Sequence, residues 1–136
     1  MGRQVKITAD TDVLVRAVLQ DDEQQAQIAS QLLRQASLIA IPLPSLCELV
    51  WVLKRGAGLT DAEITLTITD LLQAGNVAMD RPAVEAGLAH LRAGGDFADG
   101  VIAYRGSWLG GETFVSFDKQ AVKLATEHGY AAQLLV

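Results

Sequence analysis

Asp10, Glu48, Asp99 and Asp118 lie far apart along the chain, and each stands at or just beyond a hydrophobic stretch fit for burial. The run Val5 to Ala9 leads into Asp10, and the run Thr113 to Phe117 leads into Asp118; both read as strands. Glu48 and Asp99 fall inside helical patterns. Ligands of an open α/β sheet bind beyond the carboxyl ends of its strands, so acids launched from two strand ends can converge there. Four carboxylates in one crevice repel one another, and a divalent cation is the simplest way to make them tolerable. An all-oxygen donor set favours a hard ion, Mg²⁺ or Mn²⁺, over zinc.

Each acid also has a purely structural explanation. Asp10 or Asp12 can cap the helix that follows the first strand, Asp96 can cap the helix that carries Asp99, and Asp118 can cap the helix after it. Capping explains Asp96 completely. Ser45 and Glu48 fit a capping box, as Thr60 and Glu63 do one helix later. Glu48 differs in being bracketed by Leu46, Cys47, Leu49, Val50 and Trp51, which predicts a helix apolar nearly all round, where a carboxylate needs a partner. Asp99, among Phe97, Ala98, Val101 and Ile102, makes the same demand of a cation or an arginine. Arg16, Arg55, Arg105 and Lys119 each fall within two helical turns of an acid, where they can orient a phosphodiester backbone or simply lie along a solvated face. His90 and His128 lack metal-ligand spacing and read as surface residues, and Cys47 as a small buried filler.

The elements that must place these side chains alternate along the chain. Strand patterns at Val5 to Ala9, Leu38 to Ile41, Asn76 to Met79, Thr113 to Phe117 and Tyr130 to Leu134 are separated by helical periodicities. The helix containing Glu48 is expected over Leu46 to Arg55, ending at Gly56 and Gly58. Continuous apolar strands between helices predict an α/β fold, a three-layer α/β/α domain with four or five mostly parallel strands.

The length of 136 residues predicts a single domain over residues 1–136, with enough chain for a sizeable core. Half the residues are hydrophobic and the mean hydropathy is +0.24, which points to apolar surface kept for a partner and to a dimer. A single cysteine excludes an internal disulfide framework and suits a reducing, cytoplasmic setting. The amino terminus lacks the apolar stretch of a signal peptide, and no run approaches a membrane span. A net charge of −5 disfavours a polyanionic partner at first sight. Cations held by the acids would reverse that sign where a phosphate sits, so nucleic acid stays open.

The segments Ile7 to Arg16, Leu46 to Leu53, Asp96 to Tyr104 and Val115 to Asp118 together resemble the PIN domain and, within it, the VapC-type toxin ribonucleases of bacterial toxin–antitoxin pairs. The resemblance covers essentially the whole chain. It implies a metal-dependent endoribonuclease of a type II toxin–antitoxin pair, with Asp10, Glu48, Asp99 and Asp118 as catalytic acids and metal ligands and Asp96 assisting. It also implies RNA as substrate, with tRNA as one target, together with Mg²⁺ or Mn²⁺, a homodimer and a cognate antitoxin. Arg16, Ser116 and Lys119 become candidate substrate contacts. Several positions depart from the family pattern: Asp12 replaces an asparagine, Ser116 a threonine, Gln120 an aspartate, and Gly100 an alanine, which should loosen its helix by about 1 kcal/mol.

Two rival readings use the same opening acids. In a haloacid-dehalogenase-like phosphatase Asp10 would be the nucleophile, but no later Gly-Asp-x-x-x-Asp signature follows. In a non-enzymatic phosphoreceiver domain Asp10 and Asp12 would hold Mg²⁺, Asp80 would accept the phosphoryl group and Lys119 would follow a later strand. That arrangement leaves Glu48 and Asp99 without a role.

Overall fold

A computed structural model describes residues 4–136, so the first residues of the amino-terminal segment read above lie outside it. The chain divides into two compact units, one ending at Asp80 and one running from Arg81 to Val136. Among the described residues no helix is long and apolar enough to cross a membrane.

The first unit contains β1 (Lys6–Thr8), α1 (Thr11–Leu19), α2 (Glu23–Gln35), β2 (Leu38–Ala40), α3 (Leu43–Trp51), α4 (Asp61–Gln73) and β3 (Val77–Ala78). Its three strands run parallel in the order β1-β2-β3, with Ile7 opposite Ile39 and Ile39 opposite Val77. Parallel neighbours require a crossover, and the helices between the strands provide it. The pairing continues past the strand ends, where Ala9 N–H donates to Ala40 O at 2.9 Å and Ile41 N–H to Ala78 O at 2.9 Å. This keeps the carboxyl edge of the sheet in register up to the residue before Asp10. Leu14, Leu46, Leu49, Leu53, Ile64 and Ile68 form the apolar centre of the unit, each side chain contributing roughly 1.5–3 kcal/mol by leaving water.

The helix expected over Leu46 to Arg55 differs in detail. It starts earlier, at Leu43, with Pro44 tolerated in a first turn whose N–H groups have no helical partners. It gives way after Trp51 to a π-helical turn, Val52–Gly56, which buries Leu53 and points Lys54 at Asp61, 3.1 Å away. Apolar spacing cannot register one extra residue per turn in so short a segment.

The second unit contains α5 (Arg81–Arg92), α6 (Phe97–Trp108), β4 (Phe114–Ser116), α7 (Lys119–Glu127) and β5 (Ala132–Leu134). β4 and β5 are parallel, with Phe114 opposite Ala132 and Ser116 opposite Leu134. Every strand pairing found is parallel, as the apolar strand patterns predict. Among the described residues hydrogen bonding groups the strands as three and two.

Two glycines let α5 and α6 meet at backbone distance. A Cβ on Gly87 would stand 2.7 Å from Phe97 Cε2, and one on Gly100 would collide with the Ala86 carbonyl oxygen and lie 2.9 Å from Gly87 Cα. Gly100 therefore permits close packing, which corrects the expectation that it merely loosens α6. Gly100→Ala should destabilise the protein by about 1–3 kcal/mol, the range for overpacking a filled interior, despite alanine's better helix propensity. Urea denaturation checks this, and a more stable variant would show that the helices can part freely.

His90 is a second correction, whereas His128 is exposed as expected. His90 is 1% exposed, and its Nδ1 lies 3.1 Å from His128 Nδ1, with ring centroids 4.8 Å apart. Neither residue's local sequence announces the pair, because it forms between α5 and the end of α7. Burial first, and the neighbouring His128 second, push the His90 imidazole below its usual range, so the buried ring is held neutral. Cys47, expected to be buried, is half-buried.

Candidate functional site

In the first unit the site begins where β1 stops. Asp10 has extended backbone geometry (φ −74°, ψ 159°), and its Oδ1 accepts the Thr11 N–H at 2.8 Å, so it caps α1. Capping and ligand duties are compatible, because a carboxylate has about four acceptor positions and the cap engages one oxygen. Thr11, only 7% exposed, turns its hydroxyl to α3 and donates from Oγ1 to Glu48 Oε2 at 2.8 Å. Ser45 Oγ donates to the Ala9 carbonyl at 3.1 Å. The Ser45 bond thus ties the start of α3 to the end of β1, and the Thr11 bond ties Glu48, further along α3, to the residue after Asp10.

These bonds decide between the readings of Glu48. The capping box at Thr60 and Glu63 forms, with reciprocal bonds of 2.9 and 3.1 Å. The one at Ser45 and Glu48 does not: Pro42 occupies the N-cap position and Ser45 has turned to β1. Nor is α3 apolar all round. Leu46, Leu49 and Val50 are buried, whereas Trp51 is 65% exposed and Glu48 lies on the exposed side. Burial does not force a partner on this carboxylate, which accepts its hydrogen bond from the Thr11 hydroxyl.

Thr11 escaped the sequence reading. A hydroxyl directly after a strand-end acid, in the first helical turn and followed by Val13, Leu14 and Val15, was the available signal. Nothing in sequence spacing joined it to a glutamate 37 positions away.

In the second unit Asp96 Oδ1 accepts the Ala98 N–H at 2.9 Å and caps α6, as expected. Asp99 follows in the first turn of that helix and is half-buried. Burial, then the negative charges of Asp96 and Asp118, push its carboxyl above the ordinary aspartate range. Asp118 caps α7, its Oδ1 accepting from Gln120 N–H at 2.9 Å and Ala121 N–H at 3.3 Å. Its own N–H donates to Ser116 Oγ at 3.0 Å. Ser116 therefore shapes the turn that presents Asp118, a role distinct from the substrate contact expected of it.

Among the expected positive residues, Lys119 is exposed beside Asp118, and Arg55 is exposed in the π-helical turn. Arg16 is engaged by Asp21 at 3.1 and 3.2 Å on the surface of the first unit. Such an exposed pair is worth little and gives way readily to a competing anion.

The structure thus bonds Glu48 to Thr11, the residue after Asp10, in one unit, and sets Asp96 and Asp118 within electrostatic range of Asp99 in the other. Among the described residues, no three histidine, cysteine, aspartate or glutamate side chains are gathered closely enough to hold a metal ion. Donor type and charge nevertheless suit one. The acids offer hard oxygens, and Asp99 sits where like charges and burial disfavour its ionised form, a penalty that a bound divalent cation reverses.

Residues 7–127 match the model of the PIN domain family, a stretch that contains all four principal acids. No curated protein matches the chain.

Proposed function

Because the chain belongs to the PIN domain family, a family of nucleases, we propose that it is a metal-dependent endoribonuclease acting as one domain over residues 1–136. Its catalytic acids are Asp10 and Glu48 in the first unit and Asp99 and Asp118 in the second. The observation that carries the proposal is the 2.8 Å bond from Thr11 to Glu48, which delivers a second acid to the strand end where Asp10 stands. A bound Mg²⁺ or Mn²⁺ would supply Lewis-acid stabilisation of a phosphodiester oxygen and ease the ionisation of an attacking water. Asp10 and Asp99 are the main candidates to hold it, with Glu48 and Asp118 next and Asp96 assisting. Glu48 or Asp118 accepts the proton of the attacking water, and Lys119 and Arg16 steady the phosphodiester backbone.

Single-stranded or looped RNA, tRNA included, fits this chemistry, because a site-specific cut needs an accessible backbone. We further infer that the chain is the toxin of a type II toxin–antitoxin pair, acting in the cytoplasm as a homodimer held in check by a cognate antitoxin. The exposed Ile28 and Leu66 of the first unit and Ile102, Trp108 and Leu109 of the second support apolar contacts of that kind. The purified chain with Mn²⁺ should cut single-stranded RNA, and failure to cut any RNA at neutral pH would remove the activity.

Thr11 is the positioning residue of this reading. Thr11→Val keeps the shape and removes the hydroxyl, so cleavage and Mn²⁺ affinity should each fall by about 10- to 100-fold, as for other groups that orient a metal ligand. Thr11→Ser, which restores the donor, should recover most of both. Equal Mn²⁺ affinity in the valine and threonine proteins, measured by calorimetry, would reduce the bond to a structural one.

A further inference from the structure

Phe117 lies between Ser116, whose hydroxyl shapes the turn, and Asp118, which caps α7, yet it is 76% exposed. The residues on either side are fixed. The Ser116 carbonyl accepts the Leu135 N–H at 2.8 Å, the Ser116 hydroxyl accepts the Asp118 N–H at 3.0 Å, and Asp118 is bound in turn to the first turn of α7. A large apolar ring is thus held out in water on a stretch of chain with little freedom to fold it away. The next residues are a carboxylate and, at Lys119, an exposed ammonium group.

We propose that Phe117 is a base-stacking platform, which receives an unstacked nucleobase of single-stranded RNA beside the phosphodiester presented to Asp118. This rests on the nuclease reading above and adds to it how the substrate is gripped. Aromatic rings take any base on their π-face, so the contact gives affinity with little sequence preference. It also selects unpaired RNA, because bases within a helix are already stacked on each other. A rigid presenting turn suits the role, since little side-chain and backbone freedom is left to lose when the base docks. Lys119 is then placed to meet a phosphate of the same strand, so three consecutive residues serve base, scissile group and backbone. This local arrangement answers the difficulty posed by the net charge of −5, for affinity comes from stacking where overall electrostatics oppose approach.

The test uses the Asp99→Asn protein, expected to bind without cutting, with Mg²⁺ present and a fluorescein-labelled single-stranded oligoribonucleotide of mixed sequence as probe. Adding Phe117→Ala should weaken binding by about 5- to 150-fold, the range for one base stacked on an aromatic ring. Phe117→Trp should retain affinity, and its added indole fluorescence should be quenched by the single strand and not by a duplex. An abasic oligoribonucleotide should bind equally to the proteins with and without the Phe117→Ala change, a result that a merely structural role for the ring would not produce. Unchanged affinity of the mixed-sequence strand for the Phe117→Ala protein overturns the inference while leaving the nuclease reading intact. The same holds if the substitution alters only the mass of the assembly in solution, which would make the ring a protein contact. If the unmutated chain cuts no RNA and Asp99→Asn binds none, the nuclease reading falls and takes this inference with it.

Discussion

Replacing Asp99 by asparagine should lower RNA cleavage by at least about a hundredfold, on the scale seen when one preorganised electrostatic group is removed from an active site. The same change should leave the protein folded and, without added metal, more stable at neutral pH. The second expectation follows from the direction of the Asp99 shift. Its folded carboxyl holds a proton more tightly than the ordinary value of 3.8, because of burial and of the charges on Asp96 and Asp118. Over the interval from 3.8 up to the raised folded value the native state binds more protons than the unfolded chain, so stability falls as pH rises through it. Above that interval the loss is complete. Asparagine keeps the shape and carries no charge, so the loss disappears; below pH 3.8 the two proteins should converge. Thermal melts of both proteins at about pH 7 and near pH 3, beside a cleavage assay, check the pair of effects. An inactive and unfolded variant would mean that Asp99 is structural, and an active one would remove it from the site.

Chelation should have an effect of similar size and opposite logic. Stripping divalent ions with EDTA should suppress cleavage by about a thousandfold, since the Lewis-acid role is worth several kcal/mol and each 1.36 kcal/mol is a factor of about ten. Mg²⁺ or Mn²⁺ should restore it. Binding to the native state alone adds about 2.7 kcal/mol of stability at a hundredfold excess over Kd, so Mg²⁺ should also raise the melting temperature of the unmutated chain. The rise should be smaller for Asp99→Asn, because the ion's benefit includes relief of the repulsion that asparagine has already abolished. Undiminished cutting after exhaustive chelation would show chemistry carried by side chains alone.

Much of the architecture was legible because apolar runs and their punctuation are local. Val5 to Ala9 and Leu38 to Ile41 announced β1 and β2, Gly75 and Pro82 bounded β3, and the stripe from Phe97 to Trp108 predicted α6 over its full length. Asp10 and Asp118 could be placed at helix starts because an acid after a strand and before a helix has few other positions to occupy. Other features depended on contacts between distant residues. The hydroxyl of Thr11 reaches Glu48, His90 finds His128, and Gly100 meets the Ala86 carbonyl, each through tertiary packing that no periodicity encodes. Glu48 shows the difficulty most clearly. Its surroundings in sequence predicted burial, and its surroundings in space leave it exposed with one hydroxyl partner, because Trp51 faces outward with it.

Where α5 and α6 touch backbone to backbone, a descendant of this chain has little freedom to vary. Trp108 and Leu109, exposed at the end of α6, can change with the partner they meet. A side chain at position 100 meets the Ala86 carbonyl and must push the helix pair apart, next to the acid one residue earlier. Aspartate and glycine at 99 and 100 should therefore be inherited as a single unit, with lineages diverging at the rim of the helix while this step of its first turns stays fixed.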